Sequence, residues 1–116
     1  MTQGEDFEYI LTTVLGQEAD SPMRKSLCRA GIDDVAGITS LAGQRIKSLN
    51  YKGDASGKAV LTGLPVSYLQ RLIHFKAYIH MKLKAGVMVH EDWRNNVTRE
   101  EFEEFQVTGH VYNLVQ

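Results

Sequence analysis

The sequence predicts an all-α fold, a compact bundle of five or six short-to-medium helices around one long central helix. Two apolar patterns predict it, since residues 7–15 and 68–83 both repeat apolar side chains at intervals of three and four, the spacing of an amphipathic helix. The third observation is a pair of helix-start signals, Ser21-Pro22 and a capping box from Thr98 to Glu101. Because 116 residues with 43% hydrophobic content suffice for one core, we expect one domain.

The first two helices are bounded by their turn residues. The apolar pattern that starts at Phe7 ends near Gly16, which predicts the first helix between them. The second helix is predicted over residues 22–30, because Ser21 is a good N-cap residue and Gly31 follows where a left-handed C-cap residue belongs.

The next part of the chain is punctuated by glycine. Apolar residues recur through 32–49, but Gly37 and Gly43 interrupt them, which predicts two short helical turns rather than one rod. Residues 51–63 carry three glycines, so this segment is predicted to be an exposed loop, with 59–61 its best candidate for a brief strand.

The C-terminal half contains the predicted central helix. It opens at Pro65 and ends at Gly86, after two lysines that suit the negative end of a helix dipole. A last short helix follows the capping box. The predicted structural anchors around it are Trp93, Thr98, Glu101, Phe102 and Phe105. We assign residues 1–106 to the single helical domain and residues 107–116 to a C-terminal tail.

The net charge is only −1, but the charges are sorted along the chain. Residues 1–20 hold five acids and no Lys or Arg, residues 21–90 hold eleven bases against three acids, and residues 91–116 hold six acids against two bases. Two interpretations stay open. The acidic ends either fold back onto the basic middle of the same chain, or leave the middle exposed for nucleic acid or for the acidic end of another copy.

Known catalytic and metal-binding patterns fit this sequence poorly. The four histidines lack ligand spacing, and the glycines around 53–58 lack the spacing of a phosphate-binding loop. The single cysteine, Cys28, is interpreted as a small buried hydrophobe without a reactive role. We expect no catalytic residues, no metal, no cofactor and no enzymatic activity. A site assembled from distant residues such as Tyr78, His90 and Glu91 is the enzyme alternative.

The location predicted for the protein is intracellular, either cytoplasmic or nuclear. A lone cysteine fits a reducing compartment. The sequence opens with no secretory leader, and no stretch approaches the roughly 20 apolar residues of a membrane span. We expect no membrane partner.

One binding surface is predicted on the central helix. Arg71, His74, Tyr78 and Lys82 recur at spacings of three and four beside the apolar stripe, so they would form a ladder able to grip phosphates. Basic residues elsewhere in the middle segment extend this surface; they are Arg24, Lys25, Arg45, Lys47, Lys52 and Lys58. The alternative is an ordinary solvated helix flank.

Two stretches carry a resemblance to a known family. The first is "LPVSYLQRLIHFKAYIHMKLKAG" followed by "DWRNNVTREEFEEFQV", and the second is the preceding "LCRAGIDDVAGITSLAGQRIKSLNYKGD". They resemble the amino-terminal, Gag-like domain of copia-type retroelement polyproteins of microalgae and its stand-alone relatives. The most specific element is Asp92-Trp93 with the pattern that follows it. The resemblance implies self-assembly or nucleic-acid packaging; the chain departs from that pattern in lacking a zinc knuckle, a protease motif and a polymerase segment.

The predicted function is association without catalysis. Self-assembly into a homo-oligomer, or binding of another protein, comes first, because opposite charges are segregated along the chain. Binding of the nucleic-acid phosphate backbone by the basic middle segment is the alternative.

Overall fold

The computed structural model describes the backbone of residues 3–55 and 58–115 and the side chains of residues 4–52 and 61–108. The helices are α1 (Gln3–Tyr9), α2 (Pro22–Arg29), α3 (Val35–Thr39), α4 (Gly43–Lys47), α5 (Val66–Lys84), α6 (Trp93–Asn96) and α7 (Arg99–Val115). A π-helical turn (Ile10–Val14), a 3₁₀ turn (Val89–Glu91) and the strands β1 (Asn50–Ala55) and β2 (Lys58–Gly63) complete the described elements. The all-α prediction is confirmed, with one small sheet added.

The first helix is longer than predicted and changes geometry within its length. α1 begins at Gln3 and runs directly into the π-helical turn, where the amide of Leu15 donates to the carbonyl oxygen of Ile10 at 2.8 Å. Gly16 then adopts a φ of +65°, a left-handed conformation that glycine adopts at little cost. The turn buries Ile10, Leu11 and Val14, and its C-cap residue Leu15 is buried as well.

α2, α3 and α4 confirm the predictions for residues 22–49. The hydroxyl oxygen of Ser21 accepts from the amide of Arg24 at 3.3 Å and caps α2, whose C-cap is Ala30. A carboxylate oxygen of Asp34 accepts from the amide of Gly37 at 2.6 Å and caps α3 in the same way. Both caps satisfy amides that have no partner within the helix.

The predicted loop over residues 51–63 is wrong, because this segment forms an antiparallel hairpin. β1 pairs with β2 in a register that places Asn50 opposite Gly63 and Ala55 opposite Lys58. Only two residues, Ser56-Gly57, separate the strands, and a short glycine-containing connection is a hairpin signal. The glycines of this segment suggested a loop, but the segment forms a strand pair whose first strand packs against α2.

α5 is the long central helix that the sequence predicts. Pro65 precedes it as the N-cap residue, and Gly86, with a φ of +86°, follows its end. Its core side buries Leu72, Phe75, Tyr78 and Ile79. Leu83, at the end of the predicted apolar stripe, is instead exposed.

α7 differs most from its prediction. It continues as a helix to Val115, so the backbone of residues 107–115 is helical where a tail of uncertain structure was expected. Only half of the capping box forms, because the amide of Glu101 donates to the hydroxyl oxygen of Thr98 at 3.3 Å while the Glu101 carboxylate turns to α5. Phe102 is fully buried and Phe105 half-buried, as expected of anchors.

The core brings the beginning and the later part of the chain together. Phe75, Tyr78 and Phe102 stack with ring centroids 5.6–6.5 Å apart. Trp93, only 6% exposed, joins the same hydrophobic cluster as the π-helical turn. The hydroxyl of Tyr9 also donates to the carbonyl oxygen of Val97 at 2.8 Å, which ties α1 to the end of α6.

Candidate functional site

The predicted ladder on α5 is divided by the fold into two unlike pairs. Arg71 and His74 are half-buried and line an open cleft toward α7. Tyr78 is fully buried and Lys82 is only 9% exposed. The four side chains therefore do not form the phosphate-gripping surface that their spacing predicts, because the apolar side of α5 reaches further round the helix than the stripe indicated.

Tyr78 and Lys82 form an internal polar cluster with Glu101. The Tyr78 hydroxyl and the Lys82 ammonium both donate to the same carboxylate oxygen of Glu101. Burial, the hydrogen bond to Glu101 and the charge of Glu101 together raise the pKa of Tyr78. Burial also acts to raise the pKa of Glu101, but hydrogen bonds from Lys82 and Tyr78 and the Lys82 charge outweigh it, so that pKa is lowered. The cluster binds α5 to α7.

The acidic ends of the chain do fold back in part. Glu8 accepts a two-pronged hydrogen bond from Arg24, and Glu101 pairs with Lys82, so both terminal acidic segments form ion pairs with the basic middle. The hydrogen bond from Arg24 and its charge lower the pKa of Glu8 despite some burial. These pairs account for only part of the segregated charge, and other basic residues of the middle lie at the surface.

A groove beside α2 collects several of those basic residues, and we call it the basic groove. It encloses about 810 Å³. Its apolar residues are Phe7, Leu11, Ala19 and Ile32, its basic residues are Arg24, Lys25, Arg29 and Lys52, and it is completed by Cys28, Gly31 and Asp33.

Local sequence explains how α2 builds one wall of the basic groove. Arg24 and Cys28, and likewise Lys25 and Arg29, are four residues apart and share a face of the helix. The Nε of Arg29 donates to the side-chain oxygen of Asn50 at 3.0 Å, which joins α2 to β1. Lys52 is exposed on that strand. With Arg24 neutralised by Glu8, three cations and the single carboxylate of Asp33 remain along the groove.

Other basic residues of the predicted surface lie elsewhere. Arg45 and Lys47 are exposed on α4 and do not line the basic groove. Lys58 belongs to β2, but its side chain lies outside the described residues. The fold therefore unites Arg24, Lys25 and Lys52 and separates them from the α5 ladder, so the predicted continuous surface is not formed by these residues.

Arg29 and Cys28 line the basic groove but were not predicted to bind a partner. The i, i+4 spacing of Arg29 from Lys25 could have indicated that Arg29 shares its helix face. Cys28 was expected to be buried and is instead exposed, because the buried side of α2 is formed by Met23, Ser26 and Leu27. The chain's single thiol thus lines the groove.

A second recess lies between α5 and α7, and we call it the arginine cleft. It encloses about 440 Å³. The residues that line it are Gly16, Gln17, Ser67, Tyr68, Gln70, Arg71, His74, Arg99 and Gln106. Arg99 was not among the predicted binding residues, because only the packing of α7 on α5 brings it to Arg71.

The recess beside His90 is lined by neither Tyr78 nor Glu91. The recess beside His90, of about 160 Å³, is lined by Asp6, Asp34, Val35, Ala36, His90 and Trp93. Tyr78 is instead enclosed with Glu101 on the α7 side of the core. Within the described part of the chain, no group of three or more His, Cys, Asp or Glu side chains has the arrangement of a metal site.

None of the helices in the described ranges combines the length and apolar character needed to cross a membrane. No family model, curated protein or solved structure matches the chain.

Proposed function

We propose that this protein is a non-enzymatic association module whose basic groove docks an acidic, partly apolar helix face, and that the face is α7 of a second copy. The observation that carries the proposal is the combination of apolar and basic side chains in one groove of about 810 Å³. Apolar contact supplies affinity on association, whereas complementary charge steers encounter and fixes register.

The basic groove has the chemistry for such a partner. Half-buried Phe7 and Ile32 offer apolar surface, while Lys25 and Lys52 are exposed along the groove. A partner with carboxylates alone would leave the apolar surface in contact with water. One with apolar side chains alone would leave the lysines unpaired. A helix that carries both along one face satisfies the whole groove.

The exposed face of α7 has the complementary pattern. Glu100, Glu104 and Val107 are spaced by four and three residues, so they lie along one face, and Val107 is 71% exposed. Glu101 and Glu103 are engaged inside the same chain, with Lys82 and Arg99 respectively. Because the groove and this face are different surfaces, the contact is either reciprocal in a dimer or head-to-tail in a larger assembly. Self-assembly is also what the resemblance to Gag-like segments implies.

Light scattering during size-exclusion chromatography tests the proposal across protein concentration at low and moderate salt. We expect an oligomer that grows with concentration and weakens with salt. Lys25→Glu and Glu104→Lys should each weaken it, and the two together should restore it, because the reversed charges again pair. Lys47→Glu is the matched control, since Lys47 is exposed outside the groove. A monomer at every concentration, or an oligomer indifferent to both reversals, contradicts self-assembly through these surfaces.

The reactivity of the single cysteine gives a second measure of whether the basic groove is occupied. Cys28 is exposed in the basic groove, so a bound α7 would shield its thiol. The rate of its reaction with a thiol reagent should fall as protein concentration rises and recover in the Lys25→Glu variant. A rate independent of concentration would speak against occupation of the groove.

Nucleic-acid binding is the second candidate, because Lys25, Arg29 and Lys52 line the same groove. Binding of a short mixed-sequence oligonucleotide should then weaken steeply with salt. Lys25→Glu should reduce it and Glu104→Lys should not, which separates this function from self-assembly. Lys82→Glu is no test of phosphate contact, because Lys82 is buried against Glu101.

A further inference from the structure

The arginine cleft brings two guanidinium groups from distant parts of the chain to one point. Arg71 projects from α5 and Arg99 from the first turn of α7. Both face Gly16, at the end of the π-helical turn. We propose that this cleft binds a single phosphate group, either as inorganic phosphate or as the monoester of a small molecule.

The position of Gly16 shows how closely the two guanidinium groups approach. A Cβ atom placed on Gly16 would lie 3.8 Å from Nη1 of Arg71 and 3.8 Å from Nη2 of Arg99. The two nitrogens are therefore separated by no more than twice that distance. Two guanidinium groups this close can both donate to the several oxygens of one phosphate group in the cleft.

Each arginine is held in place by a contact inside the chain. Nη1 of Arg71 donates to the carbonyl oxygen of Leu15 at 2.8 Å, and Nε of Arg99 donates to Glu103 at 2.9 Å. A guanidinium carries five N–H donors, so these bonds orient the forks and leave donors for a ligand. Holding the two forks in place before binding reduces the entropy lost when the anion binds.

The rest of the cleft suits an anion. His74 and Gln106 approach each other at 3.4 Å across it, and Ser67 and Gln70 add neutral hydrogen-bonding groups. The described residues that line it include no aspartate or glutamate. The nearest competitor is Glu103, which pairs with Arg99 from the flank of α7.

The shape of the cleft favours one phosphate over a nucleic-acid strand. A strand presents a row of phosphates and needs a track of cations, whereas here two arginines converge on one point. The other basic cluster, at α2 and β1, forms a separate groove with no residue in common with the cleft. The cleft is therefore distinct from the basic groove, although Arg99 and Gln106 lie on α7 beside the face proposed to dock.

Titration with inorganic phosphate at constant ionic strength, followed by calorimetry, tests this site. We expect saturable binding that chloride does not reproduce. Arg99→Gln should weaken binding by about tenfold or more, since it removes one charged fork. Glu103→Gln should strengthen it, because the amide oxygen of the glutamine can still accept from Nε of Arg99 and orient it, while the competing negative charge is removed. Arg45→Gln, an exposed arginine on α4, is the matched control and should change nothing.

Arg99 is exposed, so Arg99→Gln should remain folded, and the gain expected from Glu103→Gln cannot come from misfolding. O-phosphoserine in place of inorganic phosphate distinguishes an ester group from the free ion, and weakening of both by Arg99→Gln supports the site. Binding equal in wild type, Arg99→Gln and Glu103→Gln would overturn it. So would an oligonucleotide that competes with phosphate in wild type but depends on Lys25 rather than Arg99.

Discussion

Lys82 and Lys25 both belong to the basic middle of the chain, yet the fold gives them opposite environments. Lys82 lies between α5 and α7, only 9% exposed, and pairs with Glu101. Lys25 lies on α2, exposed in a groove beside apolar side chains. Basic residues that are close in sequence therefore do not share one role. A lysine on the core side of its helix forms an internal ion pair, whereas a lysine on the solvent side remains available to a partner.

The largest effect expected from this comparison comes from the apolar part of the α5–α7 contact. Phe102→Ala should lower the free energy of unfolding by about 3–5 kcal/mol, because it empties a fully buried site against Phe75 and Tyr78. Val107→Ala on the exposed side of α7 should change it by less than about 0.5 kcal/mol. Denaturant unfolding of both variants measures this. Equal losses would mean that α7 does not pack by the Phe102 face.

An intermediate effect separates the two lysines directly. Lys82→Gln should cost about 1–2 kcal/mol, since it removes the buried partner of Glu101, with the loss moderated because Glu101 is half-exposed. Lys25→Gln should leave stability within about 0.5 kcal/mol while it weakens association. Thermal unfolding and light scattering of this matched pair measure the two properties. Similar losses of stability in both variants would contradict the conclusion that Lys82 stabilises the fold and Lys25 does not.

The smallest effect is the pH dependence that Glu101 contributes to stability. The lowered pKa of Glu101 means that its ionised form stabilises the fold, and this contribution is lost as pH falls below its unfolded value of about 4.5. Between about pH 6 and pH 3 the free energy of unfolding should fall less in Glu101→Gln than in the wild type. A Glu101→Gln variant as acid-sensitive as the wild type would contradict this role.

Local signals predicted much of the fold, because they act within a few residues. The cap at Ser21, Pro65 before α5 and the glycines at Gly31 and Gly86 all fall where the structure places helix ends. The hairpin was not predicted, because the glycine content of residues 51–63 favours a loop, whereas the short connection between two strands favours a hairpin. The full length of α7 was not predicted, although Val107, Val111, Leu114 and Val115 recur at the spacing of an amphipathic helix.

The polar cluster of Tyr78, the arginine cleft and the basic groove all depend on contacts between distant segments, which local sequence patterns do not predict. Tyr78 and Lys82 have the spacing of a surface ladder, and only Glu101, many residues later, reveals that they are enclosed. Arg71 was a predicted binding residue, but its partner Arg99 reaches it through the docking of α7. The i, i+4 spacing on α2 predicts which of its side chains share the wall of the basic groove. That Phe7 and Lys52 complete the groove depends on tertiary packing, which this spacing does not predict.

The hydrogen bond from Tyr9 to Val97 has a consequence for how the chain folds as it is synthesised. Ile10, Leu11 and Val14 are synthesised before Val97 and Phe102, which belong to the same hydrophobic cluster. This part of the core therefore cannot close until Phe102 has been made. Until then the nascent first helix exposes an apolar surface, which is the kind of segment that chaperones bind.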